Sequence, residues 1–280
     1  MDRTKDILEH LKDVEREHQV RTLLAVEPGS RAWGFESANS DWDVRFIYVH
    51  KLEWYLRIEP QHDVIEVMDD EIDLVGWELR KALGLLKRSN PSMMEWLNSP
   101  IVYSVDEAFL KRIKDAEPHF FNPTASMYHY MHMFAKHDEH YLQREDCTMK
   151  RFLYYLRGVL ACEWISENRT LPPVAFAKLV DETVADEDMR TKIQELVDLK
   201  KSGMEHSLAV VDSELARYAR VMAERIKEHA DTSRPERPAT DDVALDSILY
   251  DTVMECHGND DEAVPGTKPR CRVYGCPTSL

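Results

Sequence analysis

Ile7, Leu8, Leu11 and Val14 recur at the three- and four-residue steps of one helix face, so the chain is expected to open on an amphipathic helix. VRTLLAV (Val20 to Val26) is a β-rich apolar run stopped by Pro28-Gly29. Val44 to Val49 reads as a second strand. EWYLRIEP, DVIEVM and, past the Asp69-Asp70 turn, EIDLV read as three more.

The period then changes. Leu79, Ala82, Leu83 and Leu86 mark a helix, Asn90-Pro91 breaks it, and PIVYS reads as a last edge strand. From Asp106 to His229 helical spacing dominates, interrupted at Asn122-Pro123 and Pro172-Pro173. Met204, Leu208, Val211, Leu215, Tyr218 and Met222 alternate steps of four and three. That spacing suits a long packed helix or, alternatively, a dimer-forming coiled coil. TSRPERPATDD reads as a flexible linker, Val243 to Glu255 as a short helix, and the stretch to Leu280 as a disordered tail. The expected fold class is α+β, with a small mixed-sheet domain over 1–120 and an α-helical domain over 121–230. Linker, short helix and tail fill 231–280.

Composition narrows the function classes. The 280 residues include 43% hydrophobic and 31% charged positions, an ordinary globular balance. Acidic residues outnumber basic ones by 52 to 36, a formal charge of −16. Phosphate neutralisation supplies most non-specific affinity for nucleic acid, so this chain is no general nucleic-acid coat. A local basic cleft or bound metal ions would still let it take a nucleotide or RNA. No stretch approaches the roughly 20 apolar residues that cross a bilayer, and the charged start argues against export, so no membrane partner and a cytoplasmic location are expected. Five cysteines in such a chain do not read as a disulfide framework.

The stretch GSRAWGFESANSDWDVRFIYV carries the candidate chemistry. Asp41 and Asp43 are two apart, so on an extended strand both carboxylates leave the same face. Two neighbouring carboxylates repel unless a cation or proton intervenes. Magnesium is the natural cation, taking one or two carboxylates and completing its shell with water and phosphate oxygens. Gly29-Ser30 ends the preceding strand; glycine lets a ligand approach the backbone, and the serine hydroxyl suits a phosphate. Asp73, between Ile72 and Leu74 in EIDLV, is a third carboxylate on a strand whose neighbours face the core, so it is expected to face a cleft. Asp69, Asp70 and Glu71 are rivals that read as turn residues.

Gly-Ser, ten intervening residues, Asp-x-Asp and a later hydrophobic-Asp-hydrophobic strand resemble the polymerase-β-like nucleotidyltransferase superfamily. The longer string is similar to one subfamily in it, the predicted nucleotidyltransferases of YcgL/RlaP type associated with RNA repair. The similarity continues through LLKRSNPSMMEWLNSP and MKRFLYYLRGVLACEWI…LPP, covering roughly residues 20 to 180. It implies a polymerase-β-like domain in which two magnesium ions, with manganese as a substitute, activate an acceptor hydroxyl. The hydroxyl attacks the α-phosphate of a nucleoside triphosphate and expels pyrophosphate. Asp41 and Asp43 would ligate both ions. Asp73 would hold the catalytic one and draw off the acceptor proton. Arg31 and Arg45 would meet phosphate oxygens or merely balance nearby carboxylates. Trp33 and Trp42 would stack on a base or pack.

In the helical half, Lys150, Tyr154, Arg157 and Ala161 share one face, beside an apolar stripe of Leu153, Leu156, Leu160 and Trp164. The first set would cross the cleft to triphosphate or acceptor strand, as helical-domain lysines do in the superfamily, or form a solvated face. His129, His132, His137 and His140 admit a zinc site or an RNA-lining role, and Cys256, His257, Cys271 and Cys276 lack a Cys-x-x-Cys knuckle. The resemblance favours an RNA end as acceptor. The alternatives are a protein AMP-transferase of toxin-neutralising type and a silent nucleotide- or RNA-binding module. Nucleotide preference and oligomeric state are not written in the sequence.

Overall fold

The computed structural model describes residues 3–38, 40–68, 71–137, 148–204, 213–232 and 242–258. Helix α1 (Thr4–His18) buries Ile7, Leu11 and Val14 and ends on Gln19 in the left-handed conformation, where the backbone turns straight into β1 (Val20–Val26). A one-turn helix α2 (Gly29–Trp33) follows, then β2 (Trp42–His50), α3 (Leu52–Tyr55), β3 (Val64–Met68) and β4 (Ile72–Glu78). Helices α4 (Leu79–Lys87) and α5 (Pro91–Leu97) lead to β5 (Val102–Val105). The five strands form one sheet in the order β3-β4-β2-β1-β5, with β2 and β4 parallel and every other pair antiparallel.

One of the expected strands is not there. EWYLRIEP forms α3 and an exposed loop, with Ile58 98% exposed. Its aromatic residues find local partners instead of a strand: Trp54 stacks on His50 at 4.3 Å, and the Tyr55 hydroxyl donates to Glu78 at 2.5 Å. The β-forming composition reflected aromatic packing against the end of the sheet. The other strands fall where their apolar runs place them, and PIVYS is the edge strand β5.

Helices then take over: α6 (Glu107–Phe120), α7 (Pro123–His137), α8 (Met149–Asn168), α9 (Phe176–Thr183), α10 (Glu187–Leu199), α11 (Ser213–Thr232) and α12 (Asp242–Gly258). The stripe read from Met204 to Met222 is not one described helix. Gly203 at φ +92° breaks the backbone before Met204, Leu208 and Val211 lie outside the described residues, and α11 carries the rest. Linker residues 233–241 and tail residues 259–280 also lie outside them.

Three buried clusters organise the packing. Helix α1 covers one sheet face with Val44, Phe46 and Leu74. On the other face, Leu24, Val26 and Ile47 pack with α4, α5, α6 and residues Leu245, Ile248 and Val253 of α12. The third cluster joins α7 to α11, and Phe35, from the loop after α2, is part of it. Phe35 is fully buried, meets Phe176 edge-on at 5.2 Å, and accepts a hydrogen bond at its carbonyl from Lys200 Nζ at 2.9 Å. The loop between Gly29 and β2 is thereby fixed from both halves.

Candidate active site

The parallel pairing of β2 with β4 sets Asp43 directly opposite Asp73. Ile72 and Leu74 point into the core, so the alternation of β4 turns the Asp73 carboxylate to the other face. Arg45, two residues beyond Asp43, stands between the acids: its Nη2 donates to Asp73 Oδ2 at 2.8 Å and to Asp43 Oδ1 at 3.3 Å, and its Nη1 donates to the Asp73 carbonyl at 2.8 Å. Gly29 closes the site from the β1 side. It sits at φ +70°, and a Cβ built there would lie 3.1 Å from Asp43 Oδ2. Glycine is thus required twice, by the backbone turn and by the carboxylate packed against it.

Burial pushes the Asp43 carboxyl above its ordinary value; Arg45 and Lys150 pull it down, while Asp73 and Asp41 push it further up. Lys150, at the start of α8, therefore brings its charge from the helical half within range of Asp43. Asp41 is exposed, one position ahead of β2, and its carbonyl accepts from Arg31 Nε at 3.2 Å. Among the described residues, no group of three His, Cys, Asp or Glu side chains is gathered closely enough to hold a metal ion. Asp43 and Asp73 offer hard oxygen donors whose mutual repulsion a cation relieves, so this pair fits a divalent magnesium, with Asp41 at the margin.

The remaining expected site residues are dispersed. Ser30 is buried beneath the corner. Arg31 lies over the Trp42 ring at 3.8 Å and donates through Nη2 to the Ser40 carbonyl at 2.6 Å, which holds the loop ahead of Asp41. Tyr154 meets the Trp33 ring edge-on at 4.8 Å. The face carrying Lys150 and Arg157 is not solvated along its length, since Arg157 and Ala161 are buried. Arg157 Nη1 donates to Glu95 Oε1 at 2.9 Å, and its guanidinium lies 4.3 Å over the Trp33 ring. His129 and His132 are exposed on α7, and the zinc expectation finds no third ligand among the described residues. His140, Cys271 and Cys276, and the rivals Asp69 and Asp70, lie outside them.

Two carboxylates went unread in the sequence. Glu27, at the end of β1, is fully buried: its Oε1 accepts from the Asp43 backbone N–H at 3.0 Å and its Oε2 from the Tyr103 hydroxyl at 2.6 Å. Burial raises its carboxyl to about 7, against the pull of those two hydrogen bonds. Its signal was a charge abutting the apolar run VRTLLAV. Glu95 on α5 gathers Tyr130, Arg157 and Trp33, at 2.7, 2.9 and 3.2 Å. The apolar residues around it in SMMEWLNS marked a helix and masked the role of its one charge.

A mixed sheet with paired aspartates beside a Gly-Ser corner, followed by helices, defines the class of polymerase-β-type nucleotidyltransferases. The particular family is RlaP, the RNA repair pathway DNA polymerase beta family: its profile matches residues 4–251, and this chain belongs to it. A relative, the uncharacterized protein YcgL of Bacillus subtilis (strain 168), is 40% identical over 250 residues, spanning 89% of this chain and 96% of its own length. Among solved structures, a nucleotidyltransferase-like protein from Exiguobacterium sibiricum 255-15 matches at 12% identity with a TM-score of 0.32. That match covers 91% of this chain and 92% of the other.

Proposed function

We propose that this protein transfers a nucleoside monophosphate from a nucleoside triphosphate to an acceptor hydroxyl, releasing pyrophosphate, with magnesium as its metal. The observation that carries this reading is the side-by-side placement of Asp43 and Asp73 against the Gly29 corner. Membership of a family described by RNA repair supports an RNA end as the acceptor. No described helix is long and apolar enough to cross a membrane.

Asp43 and Asp73, joined by Asp41, would hold the metal. When bound, magnesium supplies Lewis-acid stabilisation of phosphate charge and lowers the pKa of a coordinated hydroxyl. Asp73, on β4, serves as the proton acceptor for the attacking hydroxyl. Arg45, held between the two acids, has a guanidinium whose geometry would suit phosphate oxygens of the triphosphate. Lys150 adds positive charge from the helical side, which would offset the negative charge of the departing pyrophosphate. Gly29 leaves room for a phosphate to approach the backbone beside Asp43.

Purified protein incubated with labelled nucleoside triphosphates, magnesium or manganese, and either RNA or cell protein is the test. Label in RNA is the expected result, and label in a protein band instead moves the reading to protein AMP transfer. Asp43→Ala should lower the rate at least about a hundredfold with no loss of melting temperature, since it removes a carboxylate whose charge burial disfavours. Unchanged turnover in that variant, or nucleotide binding without transfer to any acceptor, sinks the assignment.

A further inference from the structure

Beside the paired acids lies a cavity of about 260 Å³, lined by Gly29 and Arg45 at the acidic site and by Trp33, Trp77, Trp96 and Arg157 among others. Trp77 of β4 and Trp96 of α5 stack face to face at 3.7 Å, and Trp33 lies against the Arg157 guanidinium. Flat aromatic walls of this kind suit a planar ring. The polar side of the cavity is more specific. Arg157 is 3% exposed, and its guanidinium donates through Nη1 to Glu95, with the Tyr130 hydroxyl beside it. Nε and Nη2 are buried with no hydrogen-bond partner.

A charged donor pair left so is costly and calls for an explanation. Glu95 meets Arg157 only at Nη1 and takes Tyr130 and Trp33 besides, so it does not answer the Nε–Nη2 edge. The Nε–Nη2 edge presents two parallel N–H groups, the geometry that a pair of adjacent acceptors satisfies. Guanine carries such a pair at O6 and N7, and cytosine at N3 and O2. Adenine sets an amino donor beside N7, and uracil separates its two carbonyls with an N–H.

Resting on the nucleotidyl-transfer reading above, we infer that this cavity holds the base of the incoming nucleotide. The Nε–Nη2 edge of Arg157 selects guanine or cytosine over adenine and uracil. Glu95 fixes the guanidinium from its other side, and Trp33 covers its face, so the edge is held rigid before any base arrives. Water does not reach the two nitrogens directly, so the base enters by displacing a wall side chain. Met133, unbranched and 44% exposed on the cavity rim, is suited to give way.

Binding of GTP, CTP, ATP and UTP with magnesium and no acceptor, followed through tryptophan fluorescence, tests this. The wild type should hold GTP or CTP about 10- to 100-fold more tightly than ATP and UTP. A tight GTP assigns the O6/N7 edge and a tight CTP the N3/O2 edge. Arg157→Lys keeps a cation for Glu95 but lacks the paired edge, and should shrink the preference to within about threefold. A ligand-side measurement needs no variant: 7-deaza-GTP, or 3-deaza-CTP where CTP is the tight ligand, should bind about tenfold more weakly than its parent. Equal binding of all four nucleotides, a preference for ATP or UTP, or indifference to the deaza substitution overturns the inference and leaves nucleotidyl transfer standing. Failure of every nucleotide to bind overturns both.

Discussion

Asp43 is reached from four directions: Arg45 along its own strand, Asp73 across the parallel pair, Gly29 at the corner, and Glu27, which accepts its backbone N–H. Glu27 is the member whose protonation is measurable. Its carboxyl titrates near 7 in the fold, against an ordinary 4.5. The stabilisation that this raised value brings is complete below about 4.5 and is lost as pH climbs to about 7. Glu27→Gln, neutral throughout and still able to accept the Asp43 N–H, should therefore gain on the wild type across that window. The gain should reach on the order of 3 kcal/mol. Urea titrations of both proteins at several pH values check it, and a constant difference between pH 4.5 and 7 contradicts it. The strand positions of Asp43 and Asp73 were legible because charges stood out within strand patterning, whereas Asp41 lies one position ahead of β2. Glu27 was not legible, because a charge abutting VRTLLAV reads equally as a turn carboxylate until its burial and partners are known.

At the scale of elements, the decisive one is the β2–β4 pair, since a one-residue slip would send Asp43 and Asp73 to opposite faces. Gly76 helps hold that register. A Cβ there would lie 2.3 Å from ring atoms of Phe46, which pairs with Gly76 across the strands and is fully buried. Gly76→Ala should cost about 3 kcal/mol in a urea titration and depress transfer as well, because the strands must separate near the acids. A variant as stable as the wild type would show that the ring can step aside. Helix starts were readable chemically: Asn90-Pro91, read as a break, is also a cap, with Asn90 Oδ1 accepting the Met93 N–H at 3.1 Å. The α3 segment was misread because its aromatic residues obey β-patterning while packing locally.

Across the whole molecule, the two halves meet at a small polar junction. Glu95 on α5, Tyr130 on α7, Arg157 on α8 and Trp33 after the Gly-Ser corner share one carboxylate. Removing it leaves a buried guanidinium without its counter-charge, so Glu95→Ala should cost about 3–5 kcal/mol. Thermal and urea unfolding both report it, and a loss under about 1 kcal/mol would mean that water takes the place of the carboxylate. Helix α12 returns to the first half: Arg112 on α6 holds Glu255 through both its terminal nitrogens, at 2.6 and 2.8 Å. Sequence distance concealed that contact, because nothing in a helical stripe names its partner.

Local order follows from what neighbouring residues impose on one another, and there the sequence by itself went far, failing at the α3 segment. Strand runs, proline and glycine breaks, the helical second half and an α+β class were all written in the spacing of apolar positions. The acid pattern and its family likeness were written there too. Tertiary structure alone decided the parallel pairing that sets Asp43 opposite Asp73, the insertion of Phe35 into the helical cluster, and the enclosure of Glu27 and Arg157. The physical reason is that period and propensity act over a few residues. Register, burial and the partner of a buried charge are set by segments that the chain brings together only on folding.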